Sequence, residues 1–375
     1  MSTKILKVRG RREMARWVNF PLDLYKNCEY YVPSLRGDEF DTFNPKKNDA
    51  YEYCEAECYL AYKDGKIAGR VAAIINHNAN KKWGKETVRF GWIDFIEDRE
   101  VLKALIDAVE DFGRQCGCTE INGPLGFTDM DREGLLVEGY DVLSSFTCIY
   151  NYPYYDPMLA ELGFTKDVDW TQRVVDLEPE LPKMFKLAPY IEERSNIHIA
   201  GGKSMKEIAR RYGMEIFHMY NESFAPLYGF APLTDRQIKA YLATYVPILD
   251  PDFVAIAVND QDKPIGFAFC VPTLATAVKK SNGRLLPFGI FRILRALKKP
   301  TALEALLIGV LPEFQGAGAP VLLFKKIHES CIKRGVTRII LNPQLEENYK
   351  VQTLFEQYKP TFYTRRRSYI REIKQ

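Results

Sequence analysis

An order of predicted elements occurs twice in this chain and limits the folds that it can adopt. Residues 57–78 and residues 252–274 each predict two β-strands around a polar turn, and Asp64-Gly65 is a strong type I′ turn signal in the first pair. In both halves a further apolar strand, a long helix and a short strand follow, before a closing helix and a last strand. The sequence therefore predicts one module used twice, at a period of about 190 residues.

Each predicted module is α+β, with helices on the faces of a mixed, mostly antiparallel sheet. Prolines interrupt the pattern over residues 176–189, so we expect a first module at 1–182 and a second at 183–375. Two domains also suit a chain of 375 residues. Residues 281–300 have no counterpart in the first half, and we expect them to be an insertion in the second.

Charge and cysteine usage exclude several classes of protein. The net charge of +3 and the lack of a long Lys/Arg run argue against nucleic-acid binding. The N-terminus is charged from the start and no apolar run reaches ~18 residues, so we expect neither a secretory leader nor a membrane span. The eight cysteines form no paired CxxC sets, and the four histidines lie at no ligand-like interval from them. We therefore expect no metal, and reduced thiols in the cytoplasm.

The stretch ALLIGVLPEFQGAGAPVLLF (305–324) places two glycines and a glutamine between a buried strand and a helix. The first N–H groups of a helix have no intrahelical partner and carry a partial positive charge. Glycine lets such amides approach an anion closely because it has no Cβ. The combination predicts a pyrophosphate cradle. Its spacing fits neither a GxxxxGK(S/T) nucleotide loop nor a GxGxxG dinucleotide turn.

The motif QGAGAP (315–320) resembles the acyl-coenzyme A signature Q/R-x-x-G-x-G/A of the GNAT N-acetyltransferase superfamily. Five of its six positions fit, and the sixth is Pro320, which supplies no N–H but is favoured at the start of a helix. The resemblance implies that the turn and the end of the preceding strand hold acetyl-CoA or another acyl-CoA. The residues so implied are Gly309, Val310, Gln315, Gly316, Ala317, Gly318 and Ala319.

The first half resembles the same superfamily as a degenerate copy. Its corresponding turn, FIEDREVLK (95–103), has no glycine, and the charges from Glu97 to Glu100 sum to −2. We expect these residues to cap a helix and to bind no phosphate. The phrases INGP, GLLVEGYD and YNYPYYDPMLAELGF resemble the N-terminal part of bacterial proteins with two GNAT modules. The resemblance covers most of the chain and names no substrate.

Glu304 is the candidate general base. It lies 11 residues before Gln315, the spacing at which histone-acetyltransferase-type members carry their base. A carboxylate in the mostly apolar strand ALEALLIGV is open to desolvation, which would raise its pKa toward a useful value. The alternative is a solvent-facing strand residue without a catalytic role.

The acid that protonates the leaving thiolate is less well defined. The family pattern N-x-x-A-x-x-L-Y fits Asn348 and Leu354, but Phe355 stands where tyrosine is expected. Tyr358 is the candidate replacement, with Tyr349 and water as alternatives. Two roles are open for Asn348 as well: its side chain bonds the pantetheine of the cofactor, or it caps a helix.

The leading hypothesis is an acyl-CoA-dependent N-acyltransferase that transfers acetyl to an amine of a small molecule or peptide at the second module. A non-catalytic acyl-CoA-binding or scaffold protein is one alternative, motivated by Phe355 and the degenerate first copy. An envelope-directed aminoacyl or lipid-amine transferase is another. It is motivated by the basic and apolar residues 285–299, which suit a peripheral membrane contact, a lid or a packed helix.

The tyrosines of 150–156 fit either an acceptor cleft or packing. The oligomeric state stays open.

Overall fold

The structure is a computed structural model that describes residues 3–202 and 204–373. Its strands are β1 (Lys4–Lys7), β2 (Cys54–Lys63), β3 (Lys66–Asn76), β4 (Thr87–Phe95), β5 (Glu120–Gly123), β6 (Leu135–Glu138), β7 (Thr165–Asp176), β8 (His198–Ile199), β9 (Val254–Val258), β10 (Pro264–Pro272), β11 (Ala302–Val310), β12 (Arg338–Ile340), β13 (Gln344–Leu345) and β14 (Thr361–Glu372). Its α-helices are α1 (Arg11–Leu24), α2 (Arg36–Thr42), α3 (His77–Trp83), α4 (Arg99–Gln115), α5 (Tyr155–Glu161), α6 (Ala188–Ser195), α7 (Met205–Phe224), α8 (Asp235–Tyr245), α9 (Ala275–Lys279), α10 (Gly289–Lys298), α11 (Ala319–Arg334) and α12 (Tyr349–Leu354).

The described residues form two compact units, and each unit is discontinuous in sequence. Unit 1 comprises the described residues of Met1–Thr171, Leu274–Ile293 and Thr364–Gln375. Unit 2 comprises those of Gln172–Thr273 and Leu294–Tyr363. The sequence-derived boundary at 182/183 stays a prediction about the repeat, because the compact units divide the chain differently.

The division follows from how the two closing strands pair. The end of β7 lies antiparallel to β12, with Asp176 opposite Arg338, so this segment belongs to unit 2. The end of β14 lies antiparallel to β5, with Tyr369 opposite Gly123, so this segment belongs to unit 1. Each unit is therefore completed by the closing strand of the other half of the sequence.

Unit 1 contains a sheet with the strand order β1-β2-β3-β4-β5-β14, in which β4 and β5 are the parallel pair. Along β3, Val71 and Ala73 join one buried cluster, whereas Ala72 joins another. This alternation is that of a strand buried on both faces. Helix α4 covers one face through residues such as Leu105, and α1 covers the other through Trp17.

Unit 2 contains a sheet with the strand order β7-β12-β11-β10-β9-β8, in which β11 and β12 are the parallel pair. Helix α11 packs on β9 and β10, and α7 packs on β10 and β11. The apolar face of α11 is buried through Phe324, Ile327 and Cys331. The helix ends at Gly335 in the left-handed conformation, with φ of 71°.

The predicted α+β class and the repeated order of elements are confirmed. Both predicted hairpins form, β2–β3 around Asp64-Gly65 and β9–β10 around residues 259–263. Asp64 and Gly65 have φ of 52° and 76°, as a type I′ turn requires. A third strand, a long helix and a short parallel strand follow each hairpin: β4, α4 and β5 in the first half, β11, α11 and β12 in the second.

The insertion predicted at 281–300 contains helix α10, which begins at Gly289. Of the helices in the described part of the chain, none combines the length and the hydropathy that a bilayer crossing requires.

Candidate active site

The two parallel strands of unit 2 separate part of the way along their length. Strands β11 and β12 pair over three residues each, the last pair being Glu304 with Ile340. Beyond this point β11 continues to Val310 without β12 as a neighbour, while β10 still pairs with it on the other side. The separation leaves one edge of β11 available to another extended chain.

The backbone of Val310 points toward this open edge. Leu311 N donates to Ile265 O at 3.0 Å, and Gly266 of β10 lies opposite Val310 of β11. Successive residues of a strand direct their backbone groups to opposite sides, so Val310 N–H and C=O point away from β10. Gln315 Nε2 donates to Val310 O at 3.4 Å, which ties the start of the glycine turn to the end of the strand.

The glycine turn holds unpartnered amides at the N-terminus of α11. Gly316 and Gly318 have φ of 92° and 90°, a region that favours glycine. Within the described residues, the N–H groups of Gly316, Gly318 and Ala319 donate to no acceptor. The helix begins at Ala319, and Pro320 is its second residue. Its missing N–H is among those a helix leaves unpaired in any case, so the cradle keeps three amides and the positive end of the helix dipole.

At two glycines of the predicted CoA site, close packing leaves no room for a side chain. A Cβ added to Gly318 would lie 2.7 Å from Ile191 Cδ1, and one added to Gly309 would lie 2.8 Å from the ring of Phe267. Gly316, in contrast, is exposed and has open space at its Cβ position. Larger side chains are therefore excluded at Gly309 and Gly318 by neighbouring atoms, and at Gly316 by backbone conformation alone.

Glu304 is buried, with only 2% of its surface exposed. Thr273 Oγ1 donates to Glu304 Oε1 at 2.8 Å. The solvent-facing alternative for Glu304 is therefore wrong, because its carboxyl group lies inside unit 2. Its role as general base stays a prediction.

Tyr358 lies against α11 and bonds to His328. Burial lowers the pKa of His328, so the ring is neutral near pH 7. Its Nε2 lies 3.2 Å from Glu178 O, and since a carbonyl only accepts, Nε2 carries the proton. Nδ1 then accepts from Tyr358 Oη at 3.3 Å. Burial also raises the pKa of the Tyr358 phenol well above its usual value. The acid role of Tyr358 stays a prediction, and this hydrogen bond gives the residue a structural role that competes with it.

Tyr358→Phe separates these two roles. Because the phenol proton is engaged with His328, we expect the variant to lose about 1 kcal/mol of unfolding free energy, the size of one buried hydrogen bond. We expect its kcat to stay close to that of the wild type. Chemical denaturation and steady-state kinetics measure the two quantities. A fall in kcat of about tenfold or more at unchanged stability would instead make Tyr358 the thiol acid.

Two residues near α12 have structural contacts. Asn348 is the N-cap of this helix, and its side chain accepts from Val351 N at 3.4 Å. Its predicted role in binding the cofactor stays a prediction. Phe355, which stands at the family's tyrosine position, is buried with its ring 4.9 Å from that of Phe324. Phe355 thus contributes to the packing of α11 against this segment.

The corresponding edge in unit 1 is filled by the chain itself. Strands β4 and β5 separate after Arg89, which pairs with Asn122. Beyond it, Phe90 O accepts from Leu125 N at 3.0 Å, and Phe95 N donates to Tyr155 Oη at 3.0 Å. Phe90 O and Phe95 N, on the side of β4 that β5 has left, are therefore bonded within the chain. A pantetheine arm could pair with these groups only by displacing Leu125 and Tyr155.

The charges of Arg89 and Asp98 also distinguish unit 1 from the proposed site of unit 2. Arg89 ends the parallel pairing as Glu304 does in unit 2, and a guanidinium group has no acceptor with which to act as a base. Asp98 caps α4 by accepting from Glu100 N and Val101 N at 3.0 and 3.1 Å, as predicted for the EDRE segment. Burial alone would raise the pKa of Asp98, but the Lys63 ammonium and the two amides lower it overall.

Sequence reasoning missed several of these partners. Thr273, His328 and Arg89 were not predicted, since their importance depends on contacts with residues far along the chain. Aligning the two repeats at the end of β4 and of β11 would have paired Arg89 with Glu304. The tyrosines of 150–156 were predicted with packing as one alternative, and Tyr155 is fully buried.

Comparison with known proteins gives relatives that span nearly the whole chain. Protein YghO of Escherichia coli (strain K12) is 26% identical over 97% of this chain and 94% of its own length. A bacterial ceramide synthase of Caulobacter vibrioides (strain NA1000 / CB15N) is 24% identical over 98% of this chain and 97% of its own length. No protein-family model matches the chain.

Comparison with solved structures gives a likeness in fold over the whole chain. A tandem GNAT protein from the clavulanic acid biosynthesis pathway covers 100% of this chain and 99% of its own, with 11% identity and a TM-score of 0.60. At this identity the likeness concerns the arrangement of helices and strands rather than the chemistry. The chain therefore has the tandem GNAT fold, as its glycine turn and its repeated order of elements predicted.

Proposed function

We propose that this chain is an acyl-CoA-dependent N-acyltransferase with one site, in unit 2. The observation that carries the proposal is the free amide set of Gly316, Gly318 and Ala319 at the end of a strand with an open edge. Three N–H groups at a helix N-terminus suit a pyrophosphate, and an open strand edge suits the amide groups of an extended pantetheine arm. The tandem GNAT fold supports the same interpretation.

In the proposed reaction each part of the site has a separate task. The turn amides hold the pyrophosphate, and the backbone of Val310 aligns the arm along β11. Glu304 lies six residues before Val310 in β11, about 20 Å along the strand, at the end of the open edge away from the turn. There it takes a proton from the ammonium of the acceptor. The amine nitrogen then bonds to the thioester carbon, the C–S bond breaks, and the sulfur leaves as a thiolate. The thiolate takes a proton from Tyr358 or water, and the nitrogen, which gains a positive charge on attack, gives its second proton to the conjugate base so formed.

A second candidate concerns the acceptor and the donor. One relative, 24% identical over 98% of this chain, is named a bacterial ceramide synthase. A ceramide is the amide of a fatty acid and a long-chain amino alcohol. That relationship favours a long-chain amine as acceptor and a fatty acyl-CoA as donor, as an alternative to acetyl transfer onto a small amine or peptide.

Release of free CoA from defined donors tests both forms of the proposal. Acetyl-CoA and palmitoyl-CoA are each incubated with sphinganine, with a polyamine and with a lysine peptide, and CoA is separated chromatographically. We expect CoA release that depends on both an amine and the chain, with the amide product detected by mass spectrometry. Turnover with palmitoyl-CoA and sphinganine alone would favour the second candidate. Binding of acyl-CoA without turnover in any combination would favour the non-catalytic alternative.

A further inference from the structure

The segment that precedes and begins α10 exposes four large apolar side chains in a short stretch. Leu285, Leu286, Phe288 and Phe291 have 41%, 76%, 67% and 66% of their surface exposed. Single exposed apolar residues are common, but a contiguous group of this size marks an interaction surface. We call these four residues the apolar ridge.

The ridge is held in place by the rest of unit 1. Gly283 O accepts from Arg36 N at 2.9 Å, and Arg292 Nη1 donates to Lys280 O at 2.8 Å. On the opposite side of α10, Gly289 and Ile293 are buried. The apolar side chains thus project from an anchored segment whose other face is already covered.

The charged residues of the segment that carries the ridge are all positive. Residues 281–300 contain no Asp or Glu and five cationic residues, which are Arg284, Arg292, Arg295, Lys298 and Lys299. No salt bridge to a carboxylate forms at any of the five among residues 3–202 and 204–373. Nearby, Arg36 Nε is buried without a hydrogen-bond partner. Burial and the charge of Arg284 together lower the pKa of Arg36, so the two guanidinium groups lie close enough to repel.

From these contacts we propose that the ridge inserts into the surface of an anionic phospholipid bilayer. The four apolar side chains enter the boundary between headgroups and acyl chains, and Arg284 and Arg36 bind lipid phosphates. Helix α10 has 10 residues, about 15 Å in length, so it lies at the surface of a core that is about 30 Å thick. This inference is independent of the proposed acyl transfer.

Charge argues against a second copy of the chain as the occupant. In a twofold dimer the same surface meets itself, so the five cations would face five more. An anionic bilayer, in contrast, presents phosphates to the cations and hydrocarbon to the ridge at the same time. The bilayer therefore matches both features of the surface.

Vesicle flotation of the full chain tests the inference. We expect binding to vesicles of phosphatidylethanolamine with phosphatidylglycerol at least tenfold tighter than to phosphatidylcholine vesicles, and weaker binding as salt is raised. Phe288→Ser/Phe291→Ser should lower the affinity for the anionic vesicles at least tenfold. Arg284→Glu/Lys298→Glu should do the same by removing the attraction to phosphate.

Matched variants keep the test specific. Leu181→Ser/Phe362→Ser changes two exposed apolar residues elsewhere, and Lys239→Glu/Lys263→Glu changes two exposed cations elsewhere. Both should bind vesicles like the wild type, and all variants should keep their circular dichroism and acyl-CoA affinity. Absence of vesicle binding by the wild type would overturn the inference, as would equal binding by the ridge variant. A concentration-dependent dimer that Phe288→Ser/Phe291→Ser abolishes would assign the ridge to self-association instead.

Discussion

Gly318→Asp is expected to weaken acyl-CoA binding at least tenfold, equivalent to about 1.4 kcal/mol or more. The new Cβ would lie 2.7 Å from Ile191 Cδ1, so the turn would have to shift. The backbone there has φ of 90°, which an aspartate tolerates poorly. The carboxylate would also stand beside the amides of Gly316 and Ala319, where it would repel a pyrophosphate. Calorimetric titration with acyl-CoA measures the loss.

Two further aspartate variants separate charge from distortion. Gly316→Asp meets no atom within 4 Å, so it adds the negative charge to the turn without a clash, and we expect a tenfold loss there as well. Gly335→Asp makes the same change at the other end of α11, again at positive φ and in open space. It should leave acyl-CoA affinity unchanged. If Gly316→Asp and Gly318→Asp both bind acyl-CoA like the wild type, the cofactor lies elsewhere.

Glu304→Gln is expected to lower kcat about 10²-fold or more while acyl-CoA affinity is kept. The change is nearly isosteric, and Glu304 lies six residues before the end of β11, far from the glycine turn. A glutamine still accepts from Thr273 Oγ1, which now bonds Glu304 at 2.8 Å, but it takes no proton from the ammonium. The loss should shrink as pH rises, because a growing share of the amine is then already deprotonated.

Glu110→Gln is the matched control for removal of a buried carboxylate. Glu110 is buried in unit 1, where it pairs with Arg114 and Arg371. Its replacement should cost stability, since it leaves cations without their partner, and kcat should stay unchanged. If Glu304→Gln also loses stability but keeps kcat at every pH, then Glu304 is a structural residue, and proton removal falls to solvent.

The glycine turn was predictable from sequence because its requirements are local. Gly316 and Gly318 adopt positive φ, and glycine is the residue type that favours this conformation. The strands and helices of both repeats were predictable for the same reason, since each has its own apolar period and its own end signals. Gly335 at the end of α11 is one such signal.

The pairing of the closing strands was not predictable, because it depends on long-range packing. Strands β7 and β14 have similar sequence patterns. No residue within either strand indicates that β7 ends beside β12 or that β14 ends beside β5. The same limit applies to Tyr358, whose proton is directed by His328, 30 residues away in sequence. The candidate base followed from a spacing, whereas its partner Thr273 followed only from the fold.

That unit 1 binds no phosphate stays a prediction, and only part of its basis could be read from the sequence. Its missing glycines and acidic turn predicted that it would bind no phosphate, and Asp98 does cap α4. The structure supplies a second and independent obstacle, because Leu125 and Tyr155 bond the open edge of β4. Restoring glycines to the turn would therefore leave the edge filled.

The central claim, a single acyl-CoA site in unit 2, is tested most directly by calorimetric titration of the wild-type chain with acetyl-CoA and with palmitoyl-CoA. We expect saturation at one mole of ligand per mole of chain for whichever donor binds, and at least tenfold weaker binding at that site in Gly318→Asp with the circular dichroism unchanged. Saturation at two moles would show that unit 1 still binds the cofactor. A single site that survives both Gly316→Asp and Gly318→Asp would contradict the assignment to the glycine turn.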